Sequence, residues 1–565
     1  MKKLIPDIIL KNLISWSYSK ESRYYRLMCV AIFFGISYAL IVIQLYSIAI
    51  EEQRQAQQIA GTKVQYRGDI VDRNGHVVAT NLTLSSLFAN PKKVIDPKLT
   101  AHKLKKVIKD LDVQKLIRDL SSEKSFVWIK RELTPSDQEE ITSLGLPGLF
   151  FEEEQRRLYT QGKATSHLLG YVDRDNKGIA GVEKFFDSYL SNPENHNPIK
   201  LSIDYRVQNI VSDELDKAIT KFSALGGACV VVDVTNGEIL GLSSKPDFDP
   251  HSPGSASSEQ LFNRATLGVY EIGSVIKILT FAIGFDTEAI QINDVYNIQD
   301  FVMNKYRIKD YHRHDGWNTV PQMFMNSSNI GAGAIAMEIG KNTYREYMER
   351  LGMTKQLPIE TSERAHPLVP QSEKITDLNL VTMSYGYGFA ISPAHFVQAM
   401  VPVVNGGVQK PLTLLKKENE AEVFAENDQS KIFNIETSVN MIKLMRLAVE
   451  KGTAKKGAVK GYLVAGKTGT AEKLGPHGYL ENHRYSSFVS VMPSINPKYL
   501  VFIFLDDPKG IKETFGFATA GFTAAPAASR IMSRIGSLYG IQPVDEDSKE
   551  IKEMMHVEYE VGNET

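Results

Sequence analysis

The sequence predicts an α+β protein carried behind a single membrane-spanning helix, and three observations support that expectation. Residues 27–50 are apolar apart from small residues, tyrosines and Gln44, long enough for a bilayer core that asks for ~20 residues of helix. Residues 228–234 and 239–243 are apolar runs on either side of Thr235-Asn236-Gly237-Glu238, the pattern of a β-hairpin. Further strand-like runs at 486–491 and 499–505 occur along a chain with helical patterns at 207–221 and 526–537. Helices framed by antiparallel strands describe an α+β domain over residues 200–540.

The elements follow in order. Residues 1–26 hold Lys2, Lys3, Lys11, Lys20, Arg23 and Arg26, whereas Glu51 and Glu52 follow the apolar run. Positive flanks stay in the cytoplasm, so the chain beyond residue 50 is expected outside. The run exceeds the ~7–15 apolar residues of a secretory signal and shows no convincing small-residue cleavage site, which favours an uncleaved anchor. Residues 51–60 are polar and helical in pattern. Arg67-Gly68-Asp69-Ile70-Val71-Asp72-Arg73-Asn74-Gly75 combines short alternation with an Asn-Gly turn, a second hairpin. Up to residue 199 strands mix with charged helices, one of them at 103–120, and residues 51–199 are read as a separate domain. Residues 200–204 open the next domain as a strand. From Asp545 the chain is acidic without a strong apolar pattern, so 541–565 is expected to be a mobile tail.

Composition sets limits on function. The 565 residues carry 65 Lys+Arg against 66 Asp+Glu, and 43% are hydrophobic. That is globular, with no basic excess to bring the chain to nucleic acid. Two cysteines, Cys29 in the anchor and Cys229 in a strand, are too few for a disulfide framework.

Chemistry enters with Ser274-Val275-Ile276-Lys277. Two other S-x-x-K matches, Ser17 to Lys20 and Ser121 to Lys124, lie in a basic stretch and a charged loop and carry no such context. Gly273 precedes Ser274, and Val275, Ile276, Ile278, Leu279, Phe281, Ala282 and Ile283 follow, which reads as a buried helix starting at the serine. Three residues apart, Ser274 and Lys277 share a helical face. A serine hydroxyl needs a neighbouring base to become a nucleophile. A lysine can serve once burial or a second cation lowers its pKa.

Two companions lie downstream, Ser327-Ser328-Asn329 and Lys467-Thr468-Gly469-Thr470. The second follows the apolar residues 462–465 and reads as a strand. Gly469 points to close backbone approach, as of an extended peptide beside the strand edge. Lys467, Thr468 and Thr470 suit a substrate carboxylate. The stretch from Gly461 to Thr468 also spells G-x-x-x-x-G-K-T, a phosphate-loop pattern. That loop needs a strand before it and a helix after it. Here residues 451–460 are basic and the strand-like part falls inside the loop, so the match is a coincidence.

The order S-x-x-K, S-x-N, K-T-G is that of penicillin-binding proteins and serine β-lactamases. With the anchor and the Arg67–Gly75 segment ahead of it, the chain resembles a class B penicillin-binding protein from the anchor to about residue 540. Gly178-Ile179-Ala180-Gly181-Val182-Glu183, Ser384-Tyr385-Gly386-Tyr387-Gly388 and Lys467-Thr468-Gly469-Thr470-Ala471 look most like the division-specific (septal) branch. One departure is Ile272, where members often have proline before the Gly-Ser; this puts the rigidity of the helix entry in doubt. The resemblance implies a non-catalytic, dimerisation-type pedestal of elongated mixed α/β structure over 51–199. It implies a transpeptidase domain, β-lactamase-like, over 200–540.

The resemblance also implies a mechanism and its residues. Ser274 would attack the penultimate D-alanine carbonyl of a peptidoglycan stem peptide ending in D-Ala-D-Ala, and Lys277 would take its proton. The backbone N–H groups of Ser274 and Thr470 would stabilise the oxyanion. Ser327 would relay a proton to the leaving D-alanine, and Asn329 would orient Lys277 and the donor amide. Lys467, Thr468, Gly469 and Thr470 would bind the donor. β-Lactam antibiotics would trap the acyl-enzyme. Expected partners are the inner membrane and, at the septum, a glycan-strand polymerase with other division proteins; no cofactor and no metal are implied. Alternatives left open are an elongation-type transpeptidase, a D,D-carboxypeptidase or β-lactamase-like hydrolase, and a non-catalytic sensor or divisome scaffold. His312-Arg313-His314-Asp315 has metal-binding residue types but no third ligand in view, and reads as a surface or site-rim loop.

Overall fold

The computed structural model describes residues 20–60, 67–299, 301–303, 306–311, 316–418 and 430–560. Helix α1 (Lys20–Ala60) runs unbroken through the apolar run and the polar residues after it. Its stretch Tyr24–Ser47 has a mean hydropathy of 2.3, and none of it is buried. At ~1.5 Å per residue, this is long and apolar enough to cross a bilayer.

Residues from 67 onward form a second unit, which begins with a sheet. Strands β1 (Ile70–Val71), β2 (Val77–Ala89), β3 (Val127–Leu133), β4 (Leu149–Tyr159) and β5 (Ile199–Lys200) are ordered β3-β2-β1-β5, with β4 also on β2. The Asp72–Gly75 turn joins β1 to β2 as the Asn-Gly pattern requires. The helix expected over 103–120 is two helices, α2 (Pro97–Val107) and α3 (Val113–Leu120). The break lies at Asp112, whose side chain accepts from Lys115 N and caps a new helix. Strand β5 was expected to open the second domain. It pairs in parallel with β1 instead, and Leu201 then bridges to Leu415. A parallel pairing needs a long crossover, so sequence spacing could not assign this strand to the first sheet.

A buried polar seam ties the first sheet to the short helical segment that follows it. Arg67 Nε donates to Glu183 Oε2 at 2.6 Å and Arg157 Nε to Glu183 Oε1 at 2.7 Å. Arg67 Nη1 also donates to Asp187 Oδ1 at 2.8 Å. Thus the Arg67–Gly75 and Gly178–Glu183 segments form one network. Asp72 accepts from Asn74 N and His76 N within its own turn, and from Tyr205 N at the next helix.

That helix, α4 (Tyr205–Phe222), precedes the second sheet. Strands β6 (Gly226–Asp233) and β7 (Ile239–Lys245) form the expected hairpin, followed by α5 (Lys277–Asp286). Two small sheets come next: β8 (Val295–Asn297) with β11 (Trp317–Thr319), and β9 (Val302–Met303) with β10 (Tyr306–Arg307). Helices α6 (Val320–Met325), α7 (Asn329–Ile339) and α8 (Ile435–Glu450) lead to β12 (Ala465–Gly475), β13 (Gly478–Met492) and β14 (Tyr499–Asp506). The sheet order is β12-β13-β14-β6-β7, antiparallel throughout. Helix α9 (Ala524–Leu538) packs with α4 against this sheet, while α8 packs on β12 and touches α5. Phe281, Phe324, Phe488 and Phe502 fill the core between these layers.

The acidic end of the chain departs from expectation. It does not leave the domain at residue 541. Val544 N donates to Gly461 O, and Glu546 pairs with Arg446 at 2.6 Å while accepting from Gly461 N. Helix α10 (Lys549–Met555) follows, and Thr319 Oγ1 donates to Tyr559 O at 2.9 Å. Residues 541–560 are a strap along the catalytic domain. Charge composition read as solvation what is partly ion pairing.

Candidate active site

Three backbone segments meet at Ser274, and glycines let them. Ser274 lies in a 3₁₀ turn, Gly273–Ile276, which passes into α5 at Lys277; the α-helix itself starts three residues after the serine. Gly273 stands at φ +63°, and a Cβ there would come within 2.7 Å of Thr470 O. Gly386 stands at φ +91°, and its Cβ would fall 2.2 Å from Gly273 O. A Cβ on Gly469 would meet Ile272 O at 2.8 Å. Gly469 was expected to admit an extended peptide; here its missing side chain admits the turn that carries Ser274. Ile272 has φ −99°, outside the range of a proline ring, and its carbonyl accepts from Ser487 Oγ. The turn is therefore held by packing and hydrogen bonds where relatives often use a ring.

Strand β12 pairs with β13 alone in its sheet, so its other edge offers Lys467 to Thr470 to the Ser274 turn. It continues as a strand past Thr468, where a phosphate loop would become a helix. Residues 462–464, expected within the strand, precede it, and Leu463 stands at φ +45°.

Two buried lysines converge on Ser327. Lys277 Nζ donates to Ser327 O at 2.5 Å and Asn329 Oδ1 at 2.8 Å, and lies 3.2 Å from Ser327 Oγ. Lys467 Nζ donates to Ser327 Oγ at 2.8 Å. Both side chains are fully buried. Burial holds Lys277 well below the ordinary lysine range; the Lys467 charge lowers it further and Asp310 opposes this. Burial brings Lys467 down to about 7. A neutral Lys277 amine that gives its two protons to Ser327 O and Asn329 Oδ1 keeps a lone pair for a hydroxyl proton. Ser327 Oγ, between the lysines, is placed to pass a proton from one to the other.

The remaining expected residues are placed as follows. Among the described residues Ser274 Oγ makes no hydrogen bond, so Lys277 is held by Ser327 and Asn329 rather than by Ser274. Catalytic contacts of this kind often close only around substrate. Lys467, expected to hold a carboxylate directly, spends its ammonium on Ser327. Thr468 Oγ1 is bonded to Thr453 Oγ1 at 2.8 Å, and Thr470 Oγ1 accepts from Ala520 N at 3.2 Å. Of the two hydroxyls, Thr470's is on the less buried residue. Asp310 and Thr453 touch this constellation and were not singled out by sequence; neither lies at a telling spacing from a motif. The His312–Asp315 run lies outside the described residues. Among the described residues no group of His, Cys, Asp or Glu could hold a metal.

The lysine geometry has a measurable consequence. With Lys277 as the base, the acylation rate is expected to rise with pH and to level off once the depressed pKa is passed. Lys467→Met removes the neighbouring cation, raises the pKa of Lys277 and moves the rising limb to higher pH. Stopped-flow acylation by a chromogenic β-lactam across pH reads this directly; an unmoved limb would separate the two lysines electrically.

A buried amine against a serine turn, with a second lysine on an open strand edge, defines an acyl-serine site. Comparison with known proteins agrees. Residues 227–533 match the penicillin binding protein transpeptidase domain, and residues 62–213 the penicillin-binding protein dimerisation domain. The chain is 36% identical to the probable peptidoglycan D,D-transpeptidase FtsI of Caulobacter vibrioides, over 92% of this chain and 89% of that one. It is 27% identical to the peptidoglycan D,D-transpeptidase FtsI of Escherichia coli K12, over 94% and 93%. In structure it resembles penicillin binding protein 3 of Mycobacterium tuberculosis, crystallised with aztreonam. The TM-score is 0.67 at 19% identity, over 85% of this chain and 97% of that chain. The chain belongs to the class B penicillin-binding proteins, with a dimerisation domain ahead of a transpeptidase domain.

Proposed function

We propose that this chain is a septal peptidoglycan D,D-transpeptidase whose nucleophile is Ser274. The observation behind the residue assignment is the pair of buried lysines meeting at Ser327, beside the Ser274 turn and the open edge of β12. A donor stem peptide pairs along that edge with its penultimate D-alanine carbonyl over Ser274. Ser274 Oγ attacks the carbonyl carbon while Lys277 takes its proton. The N–H groups of Ser274 and Thr470 face the oxygen that becomes negative, each such donor being worth ~10²–10³ in rate. The C–N bond breaks as Ser327 hands a proton to the departing D-alanine nitrogen, leaving an ester on Ser274. An amine of a second stem peptide attacks that ester and loses its proton to the base, and Ser274 leaves with a proton as the cross-link forms. Asn329 holds Lys277 and the donor amide, and Thr468 and Thr470 bind the terminal carboxylate end while Lys467 stays on Ser327 Oγ.

The basic residues of segment 1–26, set against Glu51 and Glu52 after the apolar run, support a cytoplasmic N-terminus and a catalytic domain outside the inner membrane. A glycan-strand polymerase and other division proteins are the partners this reading implies.

Intact-mass analysis of the full chain in detergent, after benzylpenicillin and over hours, tests the assignment. A lasting adduct on Ser274 is expected. An adduct that forms and decays within minutes would favour a hydrolase, and none on folded protein would leave a scaffold. Septal bands of an N-terminal fluorescent fusion test the location, against a lateral pattern for an elongation enzyme.

A further inference from the structure

We propose that Asp310 is a positioning residue for acylation: its carboxylate clamps the Ser327–Asn329 turn against Lys277 and sets a negative charge facing that buried lysine. The inference rests on the Ser274 reading above. Asp310 Oδ1 accepts from Asn329 N at 2.5 Å and Ile330 N at 3.1 Å, and Oδ2 accepts from Ser328 Oγ at 2.7 Å. Ser328 Oγ in turn accepts from Gly331 N at 2.9 Å, so the two side chains together satisfy the open N–H groups at the start of α7. The neighbouring Lys309 O accepts from Asn329 Nδ2 at 2.9 Å. That bond turns the Asn329 amide so that its oxygen faces Lys277.

The turn needs such a clamp. Ser327 stands at φ +61°, in the left-handed region that residues with a Cβ rarely adopt. Strain of this kind persists only where surrounding contacts over-determine the backbone. Ser327 O and Oγ both lie on Lys277 Nζ, and Ser327 Oγ on Lys467 Nζ. A shift of the turn would therefore move the base and the relay together. The charged groups facing Lys277 are Lys467 from β12, which lowers its pKa, and Asp310 from the loop before β11, which raises it. Ser327 and Asn329 complete its surroundings from the turn and α7. Asp310 thus links the geometry of the second motif to the protonation of Lys277.

The test separates clamp from charge on the full chain in detergent. Asp310→Ala removes both, and the plateau rate of benzylpenicillin acylation is expected to fall ~10²-fold, the effect of a misplacement of about 1 Å. Asp310→Asn keeps an oxygen for Asn329 N and Ile330 N but loses the charge. Its plateau is expected to stay within about tenfold of the parent, while the rising limb of its pH–rate profile moves to lower pH. Circular dichroism and thermal unfolding confirm that both variants fold. Unchanged acylation in folded Asp310→Ala overturns the clamp. A limb that does not move in Asp310→Asn overturns the charge, because a purely structural cap would leave it in place. The parent chain run in the same series must acylate on Ser274; its failure would count against the nucleophile and not against Asp310.

Discussion

Ser274→Ala is expected to leave the chain folded and to remove covalent labelling by benzylpenicillin, a loss of at least ~10⁴-fold in acylation rate. Both halves of this expectation come from the geometry. Ser274 Oγ makes no hydrogen bond among the described residues, so replacing it with a methyl hydrogen-bonds nothing less. Stability should stay within ~0.5 kcal/mol, as for substitutions that break no buried contact. Lys277, Ser327, Asn329 and Lys467 keep one another in place without it. The variant should therefore still bind β-lactam reversibly while forming no ester. Intact mass gives the covalent result and thermal unfolding the control. A persistent adduct on folded Ser274→Ala protein would remove the assignment, whatever its chemical logic.

Glu183→Ala carries the largest expected effect on stability. Its two carboxylate oxygens sit between Arg67 and Arg157, with side-chain exposures of 0%, 0% and 1%. Among the described residues Arg157 Nη2 already lacks a partner. Removing the carboxylate leaves two buried guanidinium groups facing each other, and breaking one buried pair costs ~3–5 kcal/mol. The loss should concentrate in the first sheet, because Arg67 enters beside β1 and Arg157 lies in β4. Limited proteolysis should accordingly cut residues 67–200 before the catalytic domain. A full apolar replacement of all three residues is expected to recover much of the stability, since the network stabilises little beyond its own desolvation. Equal resistance of Glu183→Ala and parent to protease would refute this account of the seam.

Much of the architecture was legible in the sequence, for reasons particular to each element. The anchor follows from a long apolar run, the β6–β7 hairpin from apolar runs around Asn236-Gly237, and the buried helix entered at Ser274 from the apolar residues after it. Other features depend on contacts between distant segments and have no local signature. The pairing of β5 with β1 is one. The task of Gly469, which admits the Ser274 turn, is another. Lys467 was read as a carboxylate ligand because its residue type suits one, but only the fold shows Ser327 Oγ at 2.8 Å. Asp310 has no motif around it. The strap over residues 541–560 was hidden because net charge does not reveal which acid has a cation waiting, as Glu546 has in Arg446.

The order of strands in the catalytic sheet governs how the domain can be assembled. Strand β6 sits between β7, its immediate successor, and β14, which arrives near the end of the domain. Until β14 docks, the run Cys229-Val230-Val231-Val232, wholly buried in the finished sheet, has one unpaired edge. Such an apolar, β-branched edge invites pairing with other chains. Pairing across so long a loop is also intrinsically slow. Strand β12, at the far end of this order, is the one that carries Lys467 to Ser327. The nascent domain thus carries an open apolar edge until residues 499–506 have been made.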